Sequence, residues 1–393
     1  MLQSQRLWPV DPNFEQDWSG RGQHTEFTKN ERRLVDDILE VQEQLGLTKH
    51  ALVQSVKCRR ILLARKTIFC TRKFTKEQAV QEVAHITPLG HAHVVRIIGT
   101  YVLGKELSIL LYPVAQYDLR DYLDIIINAS EAEAKWYTMV YATRRFFSCL
   151  VSAVHHIHAR LTKHMDIKPQ NILIQKRLKM HSLRKEYPFD FSVCIADFGI
   201  SRSYDRVEAI ETDGRTAFTP KYAAPEVAEQ ELRGLKADIF SLGCVFLEVY
   251  SVLHDADFKW QVHEAVPLSR SAYQSLRAMR GSNGAQLLAT QKMQAVLASN
   301  LKHDTSYQAN LLTLFEAQHK IWHRDPVSAV RYIIVRMMSI DPAQRPSAAN
   351  LRSTFVESSC CIQGPPELVA MTAALEGSDA EGNEDSQEES DHL

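Results

Sequence analysis

The chain has 393 residues, 45% apolar and 24% charged, with a formal net charge of −1. This is the composition of an ordinary soluble globular protein with a large core. No apolar run is long enough to span a bilayer, residues 1–14 lack the apolar core of a signal peptide, and no nucleic-acid-binding pattern is evident. The seven cysteines are odd in number and include no C-x-x-C pair. Reduced thiols are therefore expected, in an intracellular protein of the cytoplasm or nucleus that is neither secreted nor membrane-spanning. The charge is uneven: residues 376–393 carry eight acids and no Lys or Arg, which leaves residues 1–375 at +7.

Residues 1–30 are polar, are broken by Pro9, Pro12, Gly20 and Gly22, and read as a mostly irregular extension. Glu31 to Glu40 fits a short helix or a strand leading into the fold. Three strand-like runs follow, Val41–Leu45, Leu52–Cys58 and Ile61–Cys70. Thr75 to Leu89 has helical spacing, with Ala79, Val83 and Ile86 on one face and Glu82 in its middle. His91 and His93 come next with no metal partner in view. Leu107 to Val114 reads as a buried strand. Arg144 to Arg160 reads as an amphipathic helix with Phe147, Leu150, Val151, Val154 and Ile157 on its apolar face. Its His155, His156 and His158 have no acidic or thiol partner at ligand spacing and read as packing or surface residues.

The stretch after that helix carries the chemistry. His164 to Leu173 reads H-x-D-x-K-x-x-N-x-L: a carboxylate (Asp166), a lysine two residues on (Lys168) and an amide five residues on (Asn171). Phosphoryl transfer needs such a set, with one group to orient a hydroxyl, one cation for the moving phosphate and one oxygen ligand for Mg²⁺. Asp197-Phe198-Gly199 follows an apolar run, and Ala224-Pro225-Glu226 follows that. In this order the three motifs resemble the catalytic half of the eukaryotic protein kinases, serine/threonine type.

The resemblance implies an α+β, two-lobed protein-kinase fold: a small, mainly β lobe with one helix, a large, mainly α lobe, and the active site between them. The kinase domain would cover residues 41–358, divided near 112/113. Residues 1–40 would be an N-terminal extension and 359–393 an acidic, disordered tail. The resemblance also implies ATP and Mg²⁺ as cofactors, a protein substrate with a Ser or Thr acceptor, and room for a regulatory partner.

Residue by residue, Asp166 would be the catalytic base, Lys168 would offset charge on the γ-phosphate, and Asn171 and Asp197 would hold the metal. Lys66, in Leu63-Ala64-Arg65-Lys66, stands where the family places the lysine of V-A-I-K and would pair with Glu82. Gly46 to Val53 stands at the glycine-rich loop, with Thr48 and Ala51 where two glycines are usual. A Cβ there hinders close approach of backbone N–H groups to phosphate. Leu111, Tyr112 and Val114 match the hinge, and Val53, Ala64 and Leu173 the adenine pocket. Thr219 would bridge Asp166 and Lys168, and Thr212 and Thr216 lie in the activation segment. His164, Phe198 and Asp238 would support the catalytic loop. Arg345 would pair with Glu226.

Met165 stands where much of the family has an arginine that meets an activation-loop phosphate, and Lys163 need not point at that loop. Regulation by a partner or by the terminal extensions is therefore expected. Lys176, Arg177, Lys179, Arg184 and Lys185 make the hairpin before Asp197 basic; it reads first as a solvated loop, with docking of an acidic partner as the alternative. Residues 254–325 carry no recognisable motif and are expected to hold several helices. The alternative to an enzyme is a kinase-fold binding module with little catalysis, and the two missing glycines speak for it.

Overall fold

The computed structural model describes residues 17–48, 51–71, 83, 89–129, 134–178, 189–199, 201–204, 206, 209–212, 218–219, 221–265, 328–355 and 359–362. Most of the helix expected over 75–89, Glu82 with it, Thr216, residues 266–325 of the motif-poor region 254–325 and residues 363–393 of the expected tail lie outside these. Residues 359–362 form a short helix whose cysteines pack on the core, which corrects their assignment to the tail.

The first layer is a six-stranded sheet of β1 (His24–Phe27), β2 (Leu39–Leu47), β3 (Ala51–Cys58), β4 (Ile61–Phe69), β5 (Arg96–Leu103) and β6 (Glu106–Tyr112), in the order β1-β5-β6-β4-β3-β2. The β2-to-β4 meander and the β5–β6 hairpin are antiparallel, while β1 runs parallel to β5. Side chains alternate across a strand. On β4, Leu63, Arg65 and Thr67 are buried on one face, and Ala64 and Lys66 sit half-buried on the other.

Each face of the sheet has its own cover. On the outer face, Leu39, Val56, Leu63, Ile98, Tyr101 and Leu110 form a core with Trp18, Phe27 and Val35. Trp18, Phe27 and Tyr101 meet with ring centroids 5.6–6.4 Å apart. The described part of the N-terminal extension is therefore ordered, which corrects the irregular reading of residues 17–30. It contributes a strand, the helix α1 (Arg32–Ile38) and a buried indole. The sequence concealed this because a four-residue strand that pairs with residues about 76 positions away leaves no local periodicity.

The second layer is helical. α2 (Leu119–Asn128) starts on Asp118, whose side chain accepts from the Asp121 N–H (2.9 Å), an N-cap. α3 (Ala134–Ala159) runs through the main core, and α5 (Lys236–Ala265) packs against it. The short α4 (Pro225–Ala228) precedes α5, and α6 (Ser328–Met337), α7 (Ala348–Thr354) and α8 (Ser359–Ile362) complete the layer. α3 begins ten residues before the segment read from sequence. Small strands line the junction of the layers: β7 (Tyr117–Asp118), β8 (Thr162–Lys163), β9 (Ile172–Leu178), β10 (Phe189–Ile195) and β11 (Arg202–Ser203). Among the described residues, no helix is long and apolar enough to cross a membrane.

Gly99 is where the N-terminal strap touches the sheet. A Cβ there would lie 2.5 Å from the Gln23 carbonyl oxygen and closer still to Trp18 Nε1. Those two atoms are bonded to each other at 2.9 Å, and the Gln23 carbonyl also accepts from the Thr100 N–H. Gly99→Ala should overpack the contact by about 1–3 kcal/mol, lowering the melting temperature and exposing residues 17–27 to protease. An unchanged melting curve with unchanged proteolysis would contradict this packing.

Candidate active site

A cleft of about 380 Å³ lies between the layers, and both layers supply its walls. Strand register builds the roof: Gly46 is opposite Val53, Val53 opposite Lys66, and Ala64 opposite Leu111. Leu173, Ala196, Asn171 and Asp197 come from the lower layer, where β9 and β10 pair Leu173 with Cys194. At the end of β6 the cleft wall is Leu111, Pro113 and Ala115. The side chains of Tyr112 and Val114 do not line the cleft. Tyr112 packs on the outer core and Val114 is buried, as alternation in an extended chain requires. Leu45, Val95, Gln116, Tyr117, Asp118, Asp121 and Gln170 also line the cleft and were missed in the sequence. They belong to no motif, and the fold alone brings them together. Burial raises the pKa of Asp118 above the ordinary carboxylate value.

Three side chains close a triangle beside Asn171, one of the residues that line the cleft. Lys168 Nζ donates to Asp166 Oδ2 (2.6 Å) and to Thr219 Oγ1 (2.9 Å), and Thr219 Oγ1 donates to Asp166 Oδ1 (2.6 Å). Asn171 Nδ2 donates to the Asp166 backbone oxygen and to Oδ2, both at 2.9 Å. Its amide nitrogen is thus committed, and its amide oxygen remains for a cation. Lys66 Nζ donates to Asp197 Oδ1 at 2.8 Å. Burial alone would raise the Asp197 pKa, but the Lys66 charge outweighs it and holds the carboxyl below its usual value.

The turn beneath Gly46 is closed by Thr48, whose N–H donates to the Ala51 carbonyl (2.8 Å) and whose hydroxyl oxygen accepts from the Ala51 N–H (3.0 Å). A side chain thus shapes the turn where backbone freedom is usual.

Behind the triangle, the chain is fixed by Asp238 in the first turn of α5. Its Oδ2 accepts from the His164 N–H and its Oδ1 from the Met165 N–H, both at 2.8 Å. His158 Nε2 lies 3.0 Å from Oδ2. Burial favours the neutral acid, yet the His158 contact and the His164 N–H hold the Asp238 pKa below its ordinary value. His164 Nε2 meets the Ala196 carbonyl (3.1 Å), and its ring packs on Phe198 with centroids 4.6 Å apart. Glu226 and Arg345 form a buried, two-bond ion pair (2.6 and 2.8 Å). The rest of the guanidinium caps the Ser339, Ile340 and Lys236 carbonyls.

The structure corrects the reading of Lys163. It is fully buried and points at the activation segment. Its Nζ donates to the Ile210 carbonyl (2.7 Å), Thr212 Oγ1 (2.8 Å) and the Arg233 carbonyl (3.1 Å), and lies 4.8 Å from the Tyr204 ring centroid. Burial lowers its pKa. The backbone of Thr212 also exchanges hydrogen bonds with Arg233 (3.1 and 3.0 Å). The sequence could not show this, because the acceptors lie 47–70 residues away.

Comparison with known proteins bears on what such a cleft is for. The family described as "Protein kinase domain" matches residues 39–355. Human death-associated protein kinase 2 is 26% identical over 222 residues, covering 54% of this chain and 54% of that protein. The serine/threonine-protein kinase nekl-2 of Caenorhabditis elegans is 28% identical over 179 residues, 44% of this chain and 45% of that one. The carbon catabolite-derepressing protein kinase of Saccharomyces cerevisiae is 31% identical over 170 residues, 42% of this chain and 22% of the relative. The chain thus spans about half the length of the first two or less than a quarter of the third.

Lys163 holds Thr212 with no phosphate involved, so the segment should stay ordered when dephosphorylated. Any phosphoryl transfer by the chain is expected to survive phosphatase treatment largely intact. Lys163→Met should increase proteolysis between residues 204 and 233, since each buried acceptor left without a donor costs about 1–3 kcal/mol. A hundredfold loss of rate on dephosphorylation, about 2.7 kcal/mol in the barrier, restored by phosphorylation at Thr212, would contradict this.

Proposed function

Because this chain belongs to the protein kinase family, we propose that it transfers the γ-phosphoryl group of ATP to serine or threonine hydroxyls of a protein substrate. The observation that carries the reading is the Asp166–Lys168–Thr219 triangle, joined through Asn171 to a cleft shared by the two layers. Asp166 orients the acceptor hydroxyl and takes its proton as the oxygen attacks phosphorus. Lys168 offsets the charge on the γ-phosphate, and Lys66 positions the α- and β-phosphates. Val53, Ala64, Leu111 and Leu173 supply apolar surface for the adenine, and backbone groups near Tyr112 and Val114 supply its polar partners.

The amide oxygen of Asn171 and the carboxylate of Asp197 would hold Mg²⁺. Two hard oxygen donors on one cleft wall suit that cation, and Asn171 keeps its oxygen available because its nitrogen is bonded to Asp166. A cation held there would supply positive charge against the charge that develops on the transferred phosphate. Thr219, seated between base and lysine, and the Glu226–Arg345 pair behind it support a peptide acceptor over a small molecule. The substrate's identity is open to a peptide array.

The test is labelled phosphate transfer from ATP to a Ser/Thr peptide array by the full chain, beside Asp166→Asn. Asparagine keeps the carboxylate's shape but cannot accept the proton, so transfer should fall at least about a hundredfold with ATP affinity within a few-fold. Equal turnover in the two proteins would remove Asp166 from the mechanism. ATP binding without transfer by the unaltered chain would favour a kinase-fold binding module.

A further inference from the structure

Three cysteines and a histidine from separate parts of the chain meet behind the cleft. Cys149 lies on α3, Cys360 and Cys361 on α8, and His93 in the loop entering β5. Their ligand atoms all lie within 4.8 Å of one another. Cys149 Sγ is 3.6 Å from Cys360 Sγ and 4.0 Å from Cys361 Sγ, and Cys361 Sγ is 3.4 Å from His93 Nε2. Cys149 and His93 are buried, and Cys360 and Cys361 are half-buried.

From these distances we propose that His93, Cys149, Cys360 and Cys361 form a structural zinc site that fastens the segment after α7 to α3 and to the loop before β5. Tetrahedral zinc, with Zn–S of about 2.3 Å and Zn–N of about 2.0–2.1 Å, places its sulfurs about 3.8 Å apart and its sulfur and nitrogen about 3.6 Å apart. The two sulfur separations, 3.6 and 4.0 Å, lie either side of the first value, and the sulfur–nitrogen distance of 3.4 Å is close to the second. A disulfide needs a sulfur separation of about 2.05 Å, far shorter than any of them.

The surroundings are those of a metal site. His93 Nδ1 lies 2.8 Å from the Val193 carbonyl, an acceptor that fixes the N–H on Nδ1 and leaves the Nε2 lone pair for the cluster. Such outer partners orient metal-binding imidazoles. Zn²⁺ would take three thiolates and a neutral imidazole, and the three thiol protons would go to water. With no open position, such a site is structural, not catalytic.

The site's position ties it to the cleft. The His93 carbonyl accepts from the Ile195 N–H (2.8 Å), and the Ile195 carbonyl accepts from the Val95 N–H (2.9 Å). The loop that carries the imidazole is therefore bonded to the strand that leads to Asp197. No local pattern marks this site, since the ligands come from positions 93, 149 and 360–361, with no C-x-x-C spacing.

The test is metal analysis of the full chain, purified under reducing conditions without chelator. About one zinc per chain is expected. Cobalt exchange should give the thiolate-to-metal charge-transfer band and the visible absorption of a tetrahedral site. Cys360→Ser with Cys361→Ser should lose at least nine-tenths of the metal, and Cys70→Ser, outside the cluster, should keep it. A chelator should lower the melting temperature of the unaltered chain. Should the double variant fail to fold, release of zinc from the unaltered chain by a thiol-modifying mercurial reads the same ligands directly. A folded chain that holds no zinc and takes up no cobalt, or a Cys149–Cys360 disulfide in non-reducing peptide mapping, would overturn the proposal.

Discussion

The site depends on one buried carboxylate. Asp238 holds the N–H groups of His164 and Met165 from the first turn of α5, where the helix dipole also favours a negative charge. Met165 needs that hold, because its φ of 69° lies in the left-handed region, which costs a non-glycine residue about 1–2 kcal/mol. Two charge-assisted bonds of roughly 1.5–3 kcal/mol each are enough to fix such a backbone. The next residue is Asp166, so the direction of the candidate base is set from α5, 72 positions downstream. Asp197, at φ 64°, is a second strained residue in the cleft, and its ion pair with Lys66 links it to the upper layer.

Around this anchor the segment from Ile210 to Glu226 is tied at both ends by buried cations of different kinds. Lys163 reaches two carbonyls and a hydroxyl as a compact point charge. Arg345 meets Glu226 with a planar fork and uses its remaining donors on backbone carbonyls, a geometry a lysine could not reproduce. A buried pair contributes little net stability when both partners are present, but losing one partner is costly. These contacts therefore fix a shape more than they add stability. Thr219 lies between the two ties, and its hydroxyl completes the Asp166–Lys168 triangle.

What could be read from sequence was what chemistry forces to be local. His164 to Asn171 packs base, cation and amide into eight residues because they must converge on one phosphate, and β2, β3, β4 and β6 showed as short strand-like runs. The fold class followed from the order of such motifs. What escaped depends on contacts far apart in sequence. Trp18 became core only because β1 adds to β5. His158, read as a packing histidine, contacts Asp238 across 80 positions. Lys163 gave no sign of facing the activation segment, and its partners Ile210, Thr212 and Arg233 lie 47–70 positions away. His93, dismissed as a ligand for want of a partner, faces cysteines more than fifty positions away at the nearest.

If Asp238 sets the direction of Asp166, Asp238→Asn is the most direct measurement. The amide has the same shape but one acceptor oxygen in place of two, so its NH₂ must face a backbone N–H. The account expects a folded chain, by near-ultraviolet circular dichroism, with KM for ATP within a few-fold. It also expects kcat lowered about a hundredfold, the cost of roughly an ångström of misplacement at a reacting group. A folded variant that turns over at the unaltered rate would contradict it, and would mean that the catalytic loop holds its shape without α5.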